Sequence, residues 1–267
     1  EMRKQHIIFV EGCQKHGGMT KAKAEEIWKL FEPFQGYGFN KAHAASYGRV
    51  AYQTAFLKAN FPAIYMSAVL TADSGDVEKI GEFVAECKKM DIAVLPPSVN
   101  ESYQGFSVVR KEGEKDRIRF GLTTIKNFGE GIADYIVAER KKNGRFISLA
   151  DFLDRIRDKN LNKKSLEALI KTGGLDEFEE RGAMMANLEL LLEYHKARMN
   201  ESKNQDSLFG LMSDTTSVPT LKLSPSNPAS NEVKLLWEKE LLGLYISGHP
   251  LDKYREKIEG KGFSVKD

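Results

Sequence analysis

The apolar positions of the first ninety residues recur at helical spacing. Residues 20–34 carry apolar side chains three and four apart behind Thr20, which can cap a helix. A second helix is predicted from Asn40 to about residue 59, before the break at Pro62. The stretch PAIYMSAVL that follows is apolar on nearly every side, so we expect a buried helix. Residues 76–90 predict a helix whose inner face holds Val77, Ile80, Phe83, Val84 and Cys87.

The pattern changes between residues 92 and 122. Here β-branched and aromatic residues surround a charged turn that contains glycine. The segments FSVVR and RIRFGL, joined by KEGEKD, predict a β-hairpin.

Helical spacing then returns along most of the remaining chain. Helices are predicted at residues 123–142, 148–158, 163–172, 182–199 and 231–246, with a polar linker at residues 200–230. We therefore expect a mainly α fold: a helical domain with a small β-hairpin element, followed by a tandem helix-hairpin-helix domain. The predicted divisions are residues 1–106, 107–180, 181–230 and 231–267.

Composition narrows the class of protein only modestly. No apolar run approaches bilayer length, and the N-terminus lacks the apolar core of a signal peptide. The two cysteines, Cys13 and Cys87, have neither metal-site nor disulfide spacing, which favours a reducing cytoplasm. Residues 107–171 hold 16 Lys and Arg against 10 Asp and Glu, a net charge of +6 that suits nucleic acid. Charges scattered over solvated faces are the alternative.

The first candidate site is the stretch GYGFNKAHAASYG. Asn40 stands where a helix N-cap belongs, and Lys41 and His43 lie in the first turn, where unpaired N–H groups and the helix dipole favour an anion. Tyr47, one turn further on, could stack on a base or a sugar. The alternative is that Asn40 only caps the helix, Lys41 is solvated and Tyr47 belongs to the core.

The second candidate site is the turn at Phe128–Gly131, between a short entering helix and a longer leaving one. Gly129 and Gly131 are expected to permit positive φ and to leave backbone N–H groups bare for a DNA phosphate. Lys126 and the basic stretch at residues 140–142 are expected nearby.

A second unit of the same kind follows. Ser148 and Asp151 resemble a capping box, and Asn162 can cap a helix that ends at the glycine pair 173–174. Lys163 and Lys164 lie in the first turn of that helix, where cations oppose the dipole unless an anion arrives. Two such hairpins in tandem would clamp successive phosphates of a duplex.

The linker contains one apolar interruption. In QDSLFGLM, Leu208 and Phe209 follow Gln205 inside a segment that gains nothing from exposing them. They either fold back onto their own domain or are offered to another protein.

These residues, in this order, resemble the C-family replicative DNA polymerases, the bacterial DNA polymerase III alpha subunits. The resemblance runs through GYGFNKAHAASYGRVAYQTAFLKANFP, IRFGLTTIKNFGEGI, LNKKSLEALIKTGGLDEF and WEKELLGLYISGHPLDKY, and it covers nearly the whole chain. It implies that the segment with Asn40, Lys41, His43 and Tyr47 is the part of the fingers that meets the incoming dNTP. Residues 175–230 match more loosely.

The resemblance also implies that both hairpins grip the primer-template duplex without reading its bases. The implied DNA-binding residues are Lys126, Asn127, Gly129, Gly131, Lys163 and Lys164. The family often has Lys-Gly-Val-Gly at the first turn, whereas this chain has Lys126-Asn127-Phe128-Gly129, which puts the phosphate geometry of that turn in question. The segment with Gln205, Leu208 and Phe209 resembles the internal motif that docks on the sliding clamp.

The family's catalytic palm has no counterpart here. Its chemistry is two-metal phosphoryl transfer at palm aspartates, so Mg²⁺ is expected there; we assign no catalytic, metal or cofactor residue in this chain, and no His-rich metal site either. We therefore expect a cytoplasmic, nucleoid-associated bacterial fragment, inactive alone, whose full-length subunit is a DNA-directed DNA polymerase. Further holoenzyme subunits are implied partners, and no membrane is.

Two other function classes remain open on the sequence. One is a self-standing helical DNA-binding module, against which the abrupt start and end of the chain argue. The other is a protein-interaction scaffold that binds the clamp through the linker and ignores DNA.

Overall fold

The computed structural model describes residues 2–31, 41–205 and 221–254. Eleven α-helices and three short strands are found in these ranges, which confirms the mainly α fold with a small β element. The helices are α1 (Met2–Gly17), α2 (Lys21–Phe31), α3 (Lys41–Asn60), α4 (Pro62–Ala72), α5 (Val77–Lys89), α6 (Glu130–Asn143), α7 (Leu149–Arg155), α8 (Lys163–Lys171), α9 (Arg181–Ala186), α10 (Leu188–Gln205) and α11 (Asn231–Leu242). The strands are β1 (Val94–Leu95), β2 (Ser107–Val109) and β3 (Arg117–Arg119).

The chain divides into two compact units, residues 1–56 and 57–267. In the first unit α1 and α2 bury Val10 and Ala24, and Phe9 packs against Trp28 with ring centroids 5.4 Å apart. No residue of α3, which crosses the division, is buried. The domain limits predicted at residues 106, 180 and 230 stay predictions. Within the described ranges, no helix is long and apolar enough to cross a membrane.

The sheet of the second unit is built around β3. The predicted hairpin is confirmed: β2 pairs antiparallel with β3, with Val108 opposite Ile118. On its other side β3 pairs in parallel with β1, a pairing that the sequence did not predict because β1 has only two residues. Phe106 and Phe120 flank the sheet with ring centroids 4.6 Å apart.

One apolar core joins this sheet to the helices that follow. Its largest fully buried side chains include Phe120, Phe152, Leu70, Ile118, Leu122, Ile125, Ile132, Ile136, Leu153, Ile156, Leu161 and Leu166. Fully burying one such side chain contributes about 1.5–3 kcal/mol. The turns of both predicted hairpins are therefore attached to the same core.

Two predictions about helix faces are wrong. Val77 is 48% exposed, because it is the first residue of α5 and projects beyond the face that buries Ile80 and Cys87. The α4 helix is buried on one stripe only, and Ile64 on its other side is 44% exposed. An apolar composition on every side of a helix did not produce burial on every side.

A buried ion pair ties the last described helix to the rest of the second unit. Arg181, the first residue of α9, donates to a carboxylate oxygen of Glu238 on α11 at 3.0 Å, and the two side chains are 4% and 0% exposed. Arg181 also donates to the Lys171 carbonyl at the end of α8 and to Asp176. The second carboxylate oxygen of Glu238 accepts from the backbone N–H groups of Ile246 and Ser247. The pair thus joins α8, α9, α11 and the segment after α11.

The described part of the linker, residues 221–230, packs along α9 and α10. The Asn187 side chain accepts from the Ser224 N–H at 2.8 Å and donates to the Ser224 carbonyl at 3.0 Å. The Glu180 carboxylate accepts from the Ala229 N–H. Hydrogen bonds to the backbone at Ser224 and Ala229 therefore fix the chain where it returns to α11.

Replacing Arg181 tests how strongly this joint stabilises the fold. We expect Arg181→Met to lower the free energy of unfolding by about 3–5 kcal/mol, because it leaves the buried Glu238 carboxylate without its cation. Urea unfolding, followed by Trp237 fluorescence in a Trp28→Phe background, measures the change. Lys253→Met, which removes the exposed pair with Glu232, is the control and should leave the free energy of unfolding nearly unchanged. Equal costs for the two variants would contradict the role given to the buried pair.

Candidate nucleic-acid interface

The first hairpin turn begins with a short 3₁₀ helix rather than an α-helix. This helix covers Leu122–Thr124, and the Phe128 N–H then donates to the Ile125 carbonyl at 3.1 Å. Ile125 and Phe128 point into the core and are 2% and 5% exposed. These two apolar anchors hold the turn while its other side faces solvent.

The prediction that the two glycines adopt positive φ is wrong. Gly129 has φ −76° and ψ 155°, which any residue can adopt, and Gly131 lies inside α6. The left-handed conformation belongs instead to Asn127, with φ 68°. Asparagine visits this region more readily than other residues with a Cβ. Asn127 therefore supplies the backbone conformation for which a glycine would otherwise be suited.

The N-terminus of α6 is open on the solvent side. Its N-cap residue is Gly129, and no described side chain caps the first turn. Apart from its chain neighbours and the backbone of α6 itself, a Cβ added at Gly129 or at Gly131 would have no described atom within 4 Å. The first N–H groups of a helix lack intrahelical acceptors and carry the positive end of its dipole, although Glu130 adds one negative charge here. An anion can reach this backbone closely.

The second hairpin has a different terminus. As predicted, Asn162 caps α8: its side chain accepts from the N–H groups of Lys164 and Ser165, and the Ser165 hydroxyl accepts from the Asn162 N–H. The capping box predicted for α7 forms only in part, because Asp151 accepts from the Ile147 N–H instead of that of Ser148. The N–H groups that an anion would use at α8 are thus largely occupied. The remaining attraction for an anion comes from the side chains of Lys163 and Lys164.

The two lysines of this second turn are not equivalent. Lys163 is hydrogen-bonded to Glu189 of α10, and this bond raises the Lys163 pKa, so the ammonium stays charged but has a neighbouring carboxylate. Lys164 is exposed and has no ion pair among the described residues. The sequence does not reveal this asymmetry, since Glu189 is 26 residues away in the chain.

The expected basic neighbours of the first turn are only partly there. Lys126 is exposed two residues before the turn, and its N–H donates to the Leu241 carbonyl of α11 at 2.9 Å. Residues 140–142 lie at the opposite end of α6, about 16 Å along the helix from Gly129. Arg140 donates to the Val99 carbonyl, and burial lowers the pKa of its guanidinium. The expectation that these three cations lie near the turn is wrong.

The predicted nucleotide residues lie at the start of α3. Lys41 is the first residue of that helix, and the rings of His43 and Tyr47 pack with centroids 4.4 Å apart. Tyr47 is 67% exposed, so it is not a core residue, as the alternative interpretation required. Asn40 lies outside the described residues.

The predicted clamp-binding residues are mostly outside the described ranges. Gln205 is the last residue of α10, while Leu208 and Phe209 fall in the part of the chain that the structure does not describe. Among the residues that are described, no group of three or more His, Cys, Asp or Glu could hold a metal ion.

Comparison with known proteins agrees with this geometry. A family profile described as a helix-hairpin-helix motif matches residues 91–184, a range that includes both turns. The DNA polymerase III subunit alpha of Campylobacter jejuni is 40% identical over 261 residues, which is 97% of this chain. The subunits of Thermus aquaticus and Deinococcus radiodurans are also 40% identical, over 95% and 100% of this chain.

The same matches cover only a part of each relative. The chain spans about a fifth of the length of these subunits, between 20% and 21%. The alignments thus cover nearly all of this chain but only a short segment of each relative. By these matches the chain corresponds, over nearly its whole length, to one segment of the DNA polymerase III alpha subunits.

Proposed function

We propose that this chain is the part of a DNA-directed DNA polymerase subunit that holds duplex DNA through its backbone. The observation that supports this most is the open N-terminus of α6, where two glycines leave the first turn accessible. Neither the φ angle nor the packing of Gly129 requires a glycine. A ligand that approaches the main chain from outside gives a reason for both glycines.

The chemistry of this turn favours a phosphate over a base. Backbone N–H groups donate without regard to sequence, and most hydrogen bonds of that kind in DNA complexes go to phosphate oxygens. The apolar anchors Ile125 and Phe128 fix the turn in the core, so little order has to be gained on binding. The contact is therefore specific for DNA shape and charge and indifferent to base sequence.

The second turn contributes charge more than backbone. Because Asn162 occupies the N–H groups of α8, the phosphate contact at this turn is made by the Lys164 side chain. Lys163 can make the same contact once it leaves Glu189 for the phosphate. This turn is expected to hold a second phosphate less tightly than the first. Lys126 adds a third cation, two residues before the first turn.

The start of α3 is proposed to contact the triphosphate of the incoming dNTP. Lys41 and His43 are in the first turn of a helix, and Tyr47 offers an exposed ring one turn on. With Asn40 they form the segment that resembles the fingers. Template-directed synthesis itself would need the palm and its Mg²⁺, so we derive no chemical step in this chain.

The segment with Gln205, Leu208 and Phe209 is proposed to bind the sliding clamp. Its support is the sequence motif, a Gln followed by a Leu-Phe pair three and four residues on. The other holoenzyme subunits and the nucleoid are proposed surroundings of the full-length subunit.

Salt-dependent binding tests the duplex proposal. Fluorescence anisotropy with a blunt 20-base-pair duplex should give a logarithmic salt slope that Lys164→Gln lowers by about 0.9, because one phosphate contact is lost. Lys163→Gln should change the slope less, since that lysine already has Glu189. Lys88→Gln, an exposed lysine of α5, is the charge-matched control and should leave the slope unchanged. If wild type fails to bind at low salt, the proposal is wrong.

A peptide titration tests the clamp proposal separately. A labelled peptide of residues 201–214 should bind a purified bacterial sliding clamp, and Phe209→Ala should weaken binding at least tenfold, about 1.4 kcal/mol, because the apolar anchor is removed. Met212→Ala, outside the motif, is the control and should bind like wild type. Equal binding by the Phe209→Ala and wild-type peptides would contradict the clamp proposal and would not affect the duplex proposal.

A further inference from the structure

The segment that leads into the first hairpin turn is in direct contact with α11, although the two contacting residues, Lys126 and Leu241, are 115 residues apart in the chain. The Lys126 N–H, two residues before the turn, donates to the Leu241 carbonyl at 2.9 Å. Leu241 lies in the last turn of α11, where carbonyls lack intrahelical donors. An unpaired acceptor of the helix end thus meets an unpaired donor of the segment that leads into the turn.

The position of that carbonyl is fixed by buried groups of α11. Leu241 and Leu242 are each 6% exposed and belong to the same core as Ile125 and Phe128. One turn earlier, Glu238 holds the helix through Arg181 and also accepts from two N–H groups of the segment that follows α11. Gly243, at φ 79°, ends the helix against Val77 so closely that a Cβ would lie 2.5 Å from a Val77 methyl.

We propose that α11 is a positioning element for the first DNA turn, with Leu241 setting the Lys126 backbone and Glu238 holding the helix in register. Neither residue touches DNA. They act by holding Asn127 in its left-handed conformation. That conformation keeps the N–H groups at the start of α6 aimed outward. This inference rests on the proposed duplex binding. It adds that α11, which follows the linker in the chain, is needed for that binding.

A neighbouring leucine on the same helix provides a matched control. Leu235 is 8% exposed, against 6% for Leu241, so truncation of either removes a similar buried side chain from α11. Leu235 lies nearly two turns earlier, and its side chain is next to Gly248. Because Leu235 lies outside the core cluster that contains Leu241, the free energy of unfolding of both variants is measured as well, and a positioning role requires an effect on the turn larger than the lost stability explains.

The experiment combines hydrogen exchange with duplex binding in the full chain. In Leu241→Ala we expect the amides of residues 123–129 to exchange at least tenfold faster and duplex affinity to fall at least threefold. In Leu235→Ala both should remain within twofold of wild type. If Leu241→Ala does not fold, Leu241→Val replaces it. We expect the same two effects, faster amide exchange and weaker duplex binding, with smaller magnitudes.

Two results would overturn the inference. One is an equal effect of both leucine variants on the turn, which would mean that α11 contributes only stability. The other is an unchanged turn in Leu241→Ala, whatever its stability. Failure of the wild-type chain to bind duplex would count against the proposed function alone, because the exchange rates of residues 123–129 are measured without DNA.

Discussion

The buried pair between Arg181 and Glu238 is the interaction on which the arrangement of the second unit depends. A charge taken out of water is costly unless it is paired and hydrogen-bonded, and each of these two groups has several partners. Through Arg181 the pair holds the end of α8, and through Glu238 it holds α11. Because α11 contacts the segment that leads into the first turn and α8 begins at the second, one joint relates both candidate DNA contacts.

The two turns use different chemistry for a similar task. The first offers main-chain donors beside glycines, and its conformation is set by Asn127 and two buried apolar residues. The second satisfies its own main chain through Asn162 and offers lysine side chains, one of them already paired. A rigid contact beside a more adjustable one suits a protein that must hold a duplex without regard to its sequence, since only the phosphate backbone repeats regularly.

Much of this fold was predictable because its signals are local. The hairpin of β2 and β3, the capping of α8 by Asn162 and the end of α8 just before the glycine pair 173–174 follow from residues within a few positions of one another. The parallel pairing of β1, the Lys163–Glu189 contact and the Leu241–Lys126 hydrogen bond join distant parts of the chain, and no periodicity encodes them. The positive φ was assigned to the wrong residues because glycine is the stronger signal, although Asn127 was the position that needed it.

The central claim is that a phosphate reaches the main chain at the start of α6, and Gly131→Ala tests it most directly. The added methyl has no described atom within 4 Å beyond its chain neighbours and the backbone of α6, and alanine is the better helix former. Gly12→Ala, at an equally open helical glycine of α1, is the control. We predict that Gly131→Ala is at least as stable as wild type yet binds duplex DNA at least tenfold more weakly, while Gly12→Ala binds normally. A Gly131→Ala chain that is stable and binds duplex like wild type would contradict the account.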